Sequence, residues 1–447
     1  MRSKLVSFFF LSVTAFCLNS CKPELNELTF SNNGVDFSNY VAIGNSLTAG
    51  YMDGALYKEG QENSYPSILA KQFKYVGGGK FVQPLTNSNI GIGVDVTTFS
   101  FNSKYVLGYK TSCAQEVSLS PVPFAATGDP TALAYIGGPT YNNMGVPGMR
   151  SFNLDSASFG DPNILISLNP FYSRFATSPG NSTVLSDAKR QLPTFFTFWL
   201  GSNDVLGYAL AGGDDALDKM TPLTIFKNNI GDALNSLAAT GAKGAVANIP
   251  AVVDIPYFTT IPYNALVLTQ AEADALDSTY ATNNPPISFV AGNNPFVIKD
   301  GNGKRQMKAG ELVLLSLPLD SVYCAGWGSN SLKPLDDRYV LTTPEINSIN
   351  GNTTQFNNFL KAKADSLDLA YVDMNAFFKS TQSGIVFNGV TFTPQFVSGG
   401  AFSLDGVHPN GKGYALLANE YIKAINNKYG SRIPMSDVNA YKGITFP

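Results

Sequence analysis

Short apolar segments that each end at a glycine or a proline are the feature that most constrains the fold of this chain. They are Tyr40–Gly44, Phe195–Gly201 and Gly244–Pro250. Apolar runs this short, with almost no polar residues, are typical of strands buried on both faces of a parallel sheet. A helical pattern from Thr221 to Leu237 separates the second strand from the third. The sequence therefore predicts an α/β fold built on a parallel sheet.

The remaining periodic segments extend this pattern to the end of the chain. The sequence predicts helices over Ser64–Phe73, Thr343–Leu367 and Pro409–Ile425, and a further strand over Ala370–Asp373. Proline suits the first position of a helix, where the missing N–H would have no partner. Two regions, about 76–140 and 252–341, carry no long periodic pattern and are rich in Gly and Asn. We interpret them as loop-rich insertions in one domain that spans residues 39–447.

The N-terminus has the composition of a targeting segment. A basic start is followed by an apolar run from Leu5 to Leu18 that is too short to span a bilayer comfortably. Leu18–Cys21 resembles the bacterial lipobox, whose cysteine is lipidated and becomes the mature N-terminus; an ordinary signal peptide that contains a cysteine is the alternative. We expect a signal peptide over residues 1–20 and a tether over 21–38. Acyl chains on Cys21 would anchor the protein to a membrane surface.

The residue after Cys21 is Lys22, and not the aspartate that resembles an inner-membrane retention signal. The sequence therefore favours the outer membrane and leaves its face open. Cys113 and Cys324 are the two cysteines left for the folded part, in what would be an oxidising compartment. They could form a disulfide or remain two separate buried thiols, and spacing alone does not decide.

Composition excludes several classes of protein. The net charge is −3, so no basic surface for nucleic acid is indicated. The chain has one histidine, whereas zinc hydrolases usually need two or three histidine ligands. It also lacks the glycine-rich phosphate loop of nucleotide-binding proteins. We therefore expect neither a metal nor a cofactor.

The single histidine, His408, lies within Asp405–Pro409. Any chemistry that depends on an imidazole must use it. Asp405 is three residues upstream, close enough to fold back and hold the ring in one tautomer. Ser46 lies where the first buried strand should end. A serine, a histidine and an aspartate in these settings indicate nucleophilic acyl transfer.

Four short blocks in order carry a resemblance to a known family: Gly44–Leu47, Asn143–Gly148, Gly201–Asp204 and Asp405–Pro409. With these blocks the chain resembles the SGNH hydrolases, also called the GDSL family of lipases and esterases. The resemblance implies a flavodoxin-like three-layer α/β/α sandwich. It also implies a serine ester hydrolase that works through an acyl-enzyme, with Ser46 as nucleophile, His408 as base and Asp405 as its partner.

The resemblance further assigns an oxyanion hole to the backbone N–H groups of Ser46 and Gly148 and to the side chain of Asn203. Asn45 departs from the aspartate usual in the family, which affects local hydrogen bonding. Asp204 is interpreted as a structural carboxylate that fixes the loop of the third block, with a catalytic acid as the alternative. The nucleophile elbow of the α/β-hydrolases is a poorer fit, because Thr48 stands where its second glycine should be.

The substrate is left open by the sequence. The expected partner is an ester, either a lipid or acyl ester or an acetylated glycan. Two alternatives to simple ester hydrolysis remain: a carbohydrate O-acetyl esterase or acyltransferase, and a non-catalytic, surface glycan-binding lipoprotein on the same scaffold.

Overall fold

A computed structural model describes residues 29–95, 100–137, 140–164, 168–284, 286–301 and 303–447. Residues Ser31–Pro447 form one compact unit. The predicted signal peptide and Cys21 lie outside the described residues. The predicted tether over residues 21–38 is too long, because Val35 and Phe37 are buried in the core. Phe37 packs against the rings of Phe73 and Phe195, with centroids 4.4 and 4.8 Å apart.

A central sheet of five strands confirms the predicted α/β class. Its strands are β1 (Tyr40–Gly44), β2 (Asn143–Gly145), β3 (Phe195–Trp199), β4 (Lys243–Ala247) and β5 (Ala370–Val372). The spatial order is β5-β4-β3-β1-β2. Every neighbouring pair is parallel. This is the flavodoxin-like order, in which ligands bind where the strand order reverses, beside the carboxyl ends of β1 and β3.

Helices pack against this sheet through aromatic side chains. On one side lie α1 (Tyr65–Phe73) and α5 (Gly411–Tyr429), and on the other lie α2 (Asn203–Leu210), α3 (Leu223–Ala238) and α4 (Thr343–Ser366). Tyr65 of α1 stacks on Tyr421 of α5 at 4.8 Å, and both rings meet the buried Trp199 of β3. Phe226 of α3 stacks on Phe356 of α4 at 4.0 Å. With helices on both sides of the sheet, every residue of β3 is buried.

Shorter elements complete the chain. Further helices are Ser46–Ala49, Lys58–Glu62, Pro170–Ser173, Val184–Arg190, Pro256–Thr259, Gln270–Tyr280, Leu319–Ala325 and Met374–Thr381. Antiparallel strand pairs are Gly93–Asp95 with Ser100–Asn102, Tyr105–Thr111 with Val117–Pro123, Leu266–Leu268 with Gly292–Asn294, Val297–Asp300 with Gly303–Gln306, Leu312–Val313 with Val340–Leu341, and Ile385–Phe387 with Val390–Phe392. Among the residues that the structure describes, none of the helices is long and apolar enough to cross a membrane.

Helix α5 begins two residues later than predicted. Its N-cap is Asn410, whose side chain accepts a hydrogen bond from Gly413 N at 3.0 Å. Pro409 lies before the helix and pairs with Phe402 in a short bridge. An asparagine side chain can satisfy a free N–H of the first turn, which proline cannot do. His408 therefore lies in a loop three residues before the helix, and not directly before its first residue.

The segment over residues 252–341 is more ordered than its sequence predicts. It has its own hydrophobic cluster, which includes Val297, Ile298, Val313 and Leu335. A disulfide joins its Cys324 to Cys113, which follows the strand Tyr105–Thr111 in the other segment without long periodicity. The pairing that the sequence left open is therefore present, and it links the two segments to each other.

Candidate active site

Ser46 is placed by a tight turn at the carboxyl end of β1. Asn45 caps the short helix Ser46–Ala49, and its side chain accepts from Leu47 N at 3.1 Å. A Cβ atom at Gly44 would lie 2.1 Å from Thr48 Oγ1 and 2.4 Å from the Trp199 carbonyl oxygen. Only glycine fits between the turn and β3, so the local sequence fixes where the serine projects. Ser46 itself is 8% exposed.

His408 connects Ser46 to Asp405. Its Nε2 lies 2.8 Å from Ser46 Oγ, and its Nδ1 lies 2.9 Å from Asp405 Oδ2. An ionised carboxylate can only accept, so the Nδ1 atom must carry the ring proton. Nε2 is then free to accept the hydroxyl proton of the serine. The structure thus brings together three residues that the sequence analysis predicted to act as one unit, across 362 positions of the chain.

The Asp405 carboxylate receives five hydrogen bonds. Its Oδ1 accepts from Ser403 Oγ (3.1 Å), Val407 N (2.8 Å) and His408 N (2.8 Å). Its Oδ2 accepts from Gly54 N (3.0 Å) as well as from the imidazole. Burial raises the pKa of Asp405, but the nearby imidazole and these donors outweigh burial and hold the pKa below its usual value. The geometry therefore favours the ionised form.

The ring of Tyr51 packs against the imidazole of His408. Its ring centroid lies 4.9 Å from that of His408. Its hydroxyl donates to the Gly54 carbonyl oxygen at 2.6 Å, and its own carbonyl accepts from Tyr414 at 2.6 Å. Neither Tyr51 nor Gly54 was predicted to belong to the site. Nothing in the local sequence indicates contacts that reach across about 350 positions.

The predicted oxyanion-hole residues follow neighbouring strands. Gly148 lies after β2 and Asn203 begins α2 after β3, while Ser46 follows β1, which lies between these two strands. Parallel strands direct their carboxyl ends to the same edge, so the three segments meet there. The backbone N–H groups of Ser46 and Gly148 donate to no acceptor among the described residues. Asn203 Nδ2 donates one hydrogen to the Met149 carbonyl oxygen at 3.0 Å, which leaves its second hydrogen.

Gly148 has a φ of +79°, in the left-handed region that favours glycine. Asn169 supports this loop, because its Nδ2 donates to the Pro147 carbonyl oxygen at 2.8 Å. Sequence analysis did not identify Asn169. It lies between the blocks Asn143–Gly148 and Gly201–Asp204 and belongs to neither, and asparagine is common in loops.

Comparison with known proteins places the chain in a family. The family model for GDSL-like lipase/acylhydrolase matches residues 40–421, and the chain belongs to this family. The protein is accordingly a carboxylic ester hydrolase with a central parallel sheet flanked by helices. No curated protein sequence matches it significantly.

Two solved structures share a distant likeness. One is LAE5, an alpha/beta hydrolase enzyme from the metagenome of Lake Arreo, Spain, with 11% identity, a TM-score of 0.36, and coverage of 88% of this chain and 97% of that one. The other is the lipase/acylhydrolase from Enterococcus faecalis, with 10% identity, a TM-score of 0.32, and coverage of 89% and 98%. At these scores, the site assignments rest on the residues of this chain alone.

Proposed function

We propose that this ester hydrolase uses Ser46, His408 and Asp405 as a catalytic triad and forms an acyl-enzyme on Ser46. The observation that carries the proposal is the unbroken chain from Ser46 Oγ to His408 Nε2 (2.8 Å) and from His408 Nδ1 to Asp405 Oδ2 (2.9 Å). Both distances are those of hydrogen bonds suited to proton transfer. A neutral imidazole held in this tautomer is the base that a serine nucleophile requires.

Each step then has a group to perform it. Ser46 Oγ attacks the acyl carbonyl carbon while its proton moves to His408 Nε2. The imidazolium formed is stabilised by the ionised Asp405. Collapse of the tetrahedral intermediate breaks the ester bond, and the leaving alcohol takes the proton from Nε2. Water then attacks the acyl carbonyl carbon while one of its protons moves to His408 Nε2. Collapse of this second intermediate breaks the bond to Ser46 Oγ, which takes the proton back from Nε2, and the acid is released.

The oxyanion of each tetrahedral intermediate would be held by Ser46 N, Gly148 N and Asn203 Nδ2. Support comes from the two backbone N–H groups without an acceptor among the described residues and from the second hydrogen of the Asn203 amide. Donors fixed before the reaction stabilise the charge that develops in the transition state. One such donor is worth roughly 3–4 kcal/mol.

The proposal is tested by labelling with a fluorophosphonate probe and by hydrolysis of p-nitrophenyl esters of increasing acyl chain length. We expect covalent labelling on Ser46 that is lost in Ser46→Ala and strongly reduced in His408→Ala. Ser366→Ala is the matched control, because Ser366 is an exposed serine at the end of α4. Hydrolysis by His408→Ala at near wild-type rates would contradict the mechanism, since no other imidazole exists in the chain.

The same assays separate the alternatives. Preference for the shortest acyl chains and activity on acetylated polysaccharide would indicate a carbohydrate O-acetyl esterase. Transfer of the acyl group to an added sugar in place of water would indicate an acyltransferase. Glycan binding with no labelling of Ser46 would indicate a binding protein on a hydrolase scaffold.

We further propose that the protein is exported and anchored through acyl chains on Cys21, in the outer membrane. The support is the lipobox-like Leu18–Cys21 segment together with the Cys113–Cys324 disulfide, a bond that persists in oxidising compartments. Mass spectrometry of the native protein should find Cys21 as the acylated first residue. The Cys21→Ala protein should no longer be recovered in the membrane fraction. An unmodified N-terminus at another residue would refute the anchor.

A further inference from the structure

A second carboxylate residue, Asp53, forms hydrogen bonds with the segment that carries Asp405. Its Oδ1 accepts from Leu404 N at 2.9 Å, and its backbone N–H donates to Ser403 Oγ at 2.9 Å. Ser403 Oγ in turn lies 3.1 Å from Asp405 Oδ1. Asp53 therefore contacts both residues that precede the triad aspartate, although it is about 350 positions away in the chain.

The turn that contains Asp53 also touches Asp405 directly. Met52 and Ala55 exchange two backbone hydrogen bonds, of 3.2 and 3.0 Å, which close a tight turn around Asp53 and Gly54. Both central residues have positive φ, 54° and 73°. This conformation aims Gly54 N at Asp405 Oδ2, 3.0 Å away, which is the oxygen that faces the imidazole.

The Asp53 side chain is itself held in place. Its Oδ2 accepts from the Tyr57 hydroxyl at 2.7 Å, and the Lys104 amino group lies 4.4 Å from the centroid of the Tyr57 ring. Two donors on one carboxylate and a cation nearby fit a fixed acceptor that cannot rotate away. Burial raises the pKa of Asp53, while Leu404 N and the Tyr57 hydroxyl oppose that effect.

The turn is also close to the nucleophile along the chain. Gly50 N and Tyr51 N both donate to the Ser46 carbonyl oxygen, at 3.1 and 3.0 Å. The segment from Ser46 to Gly54 thus supplies the hydroxyl, the ring that packs on His408 and the N–H that binds Asp405. Movement of the turn would change the position of Asp405 relative to Ser46.

We propose that Asp53 is a positioning residue for the ester hydrolase reaction: it fixes the Ser403–Asp405 segment and delivers Gly54 N to Asp405, and so aligns His408 with Ser46. This inference rests on the proposed triad, because Asp53 acts only through Asp405. It makes no contact with Ser46 or His408 among the described hydrogen bonds.

The test compares two substitutions that both tolerate a positive φ. Asp53→Gly removes the carboxylate, and Asp53→Asn keeps an oxygen acceptor for Leu404 N. The measurement is steady-state kinetics on the p-nitrophenyl ester that the wild-type enzyme cleaves fastest. We expect Asp53→Gly to lower kcat roughly 10- to 100-fold, the scale of a misplacement near 1 Å, with KM changed less than about 2-fold. Asp53→Asn should lower kcat by less than about 3-fold.

A double-mutant cycle separates positioning from general loss of structure. In an Asp405→Asn background, measured above a Ser46→Ala blank, Asp53→Gly should lower kcat by less than about 2-fold, because the group that it positions is already gone. An equal fold-loss in both backgrounds, or an Asp53→Asn enzyme as weak as Asp53→Gly, would overturn the proposal.

Should Asp53→Gly fail to fold, as judged by circular dichroism, Ser403→Ala enters the same cycle. It removes the hydroxyl between Asp53 N and Asp405 Oδ1. Ser403→Ala should lower kcat in the wild-type background and leave it nearly unchanged in the Asp405→Asn background. Failure of the proposed function has a different signature: Asp405→Asn or Ser46→Ala would then retain full activity whatever stands at position 53.

Discussion

Asp204 and Ser151 form a buried hydrogen-bonded pair beside Asn203 and the Gly148 loop, the segments proposed to form the oxyanion hole. The Ser151 backbone N donates to both carboxylate oxygens, at 3.2 and 3.0 Å, and its hydroxyl donates to Oδ1 at 2.5 Å. Asp204 follows Asn203, and Ser151 lies three residues after Gly148. The pair therefore holds the loop after β2 against the start of α2. Burial raises the pKa of Asp204, and the donors from Ser151 oppose that effect.

Asp204→Ala should destabilise the fold by roughly 2–4 kcal/mol, because two buried donors of Ser151 would lose their acceptor. The urea midpoint of unfolding measures this loss. Asp232→Ala, which removes an exposed aspartate on α3, is the control and should lie within about 0.5 kcal/mol of wild type. A similar midpoint for both variants would mean that the pair contributes no stability.

Asn203→Ala should lower kcat by roughly 10²–10³ with little change in KM, because the amide donor acts on charge that develops in the transition state. Kinetics on a p-nitrophenyl ester provides the measurement, with the exposed Asn228→Ala on α3 as control. If Asn203→Ala raised KM alone, the residue would bind substrate in the ground state and the oxyanion assignment would be wrong.

The stability contributed by Asp405 should depend on pH in the acid range. Its pKa in the folded state lies below the usual 3.8, so the unfolded chain binds its proton more readily. Stabilisation is therefore complete above pH 3.8 and is lost as the pH falls through the folded pKa. The difference in unfolding free energy between wild type and Asp405→Asn should narrow as the pH falls below 3.8. Urea titrations at fixed pH values measure this difference. A gap that stays constant down to pH 2.5 would contradict the assignment, since all other carboxylates are common to the two proteins.

Loss of the Cys113–Cys324 disulfide should cost about 2–4 kcal/mol, mainly because the unfolded chain would regain the freedom of a long loop. The Cys113→Ser/Cys324→Ser variant should unfold at a lower temperature than the oxidised wild type. Dithiothreitol should lower the melting temperature of the wild type to that of the variant. The variant itself serves as control and should be insensitive to the reductant.

The fold was predictable where short apolar runs alternate with helical periodicity. Four of the five sheet strands were predicted from such runs, and the confirmed fold class follows from their order. The fifth, β2, was not predicted, because its three residues, Asn143–Gly145, carry no periodic signal. The start of α5 was misplaced because Pro409 is a plausible first helical residue, whereas the actual cap depends on the hydrogen bond from Gly413 N to Asn410.

The residues of the candidate site also divide into those that the sequence predicts and those that it does not. Ser46, Gly148, Asn203, Asp405 and His408 could be selected because each lies in a short block with a chemical reason for its residue types. Asp53 and Tyr51 could not, because their role comes from tertiary contacts with Ser403, Leu404 and His408. An aspartate before a glycine predicts only a turn. What the turn binds is decided by how the carboxyl end of the chain folds back onto the first strand.

The disulfide also bears on the order in which the molecule is completed. Cys113 leaves the ribosome 211 residues before Cys324. At about 5–20 residues per second, its thiol waits roughly 10–40 s for its partner. By then β1 to β4 have been synthesised, and only β5 and the Asp405–His408 loop are still to come. The bond therefore cannot form before the chain that contains the first four strands has been made. In the exported protein proposed above, it would form only once Cys113 and Cys324 have both reached an oxidising compartment, and so it would fasten the two segments late.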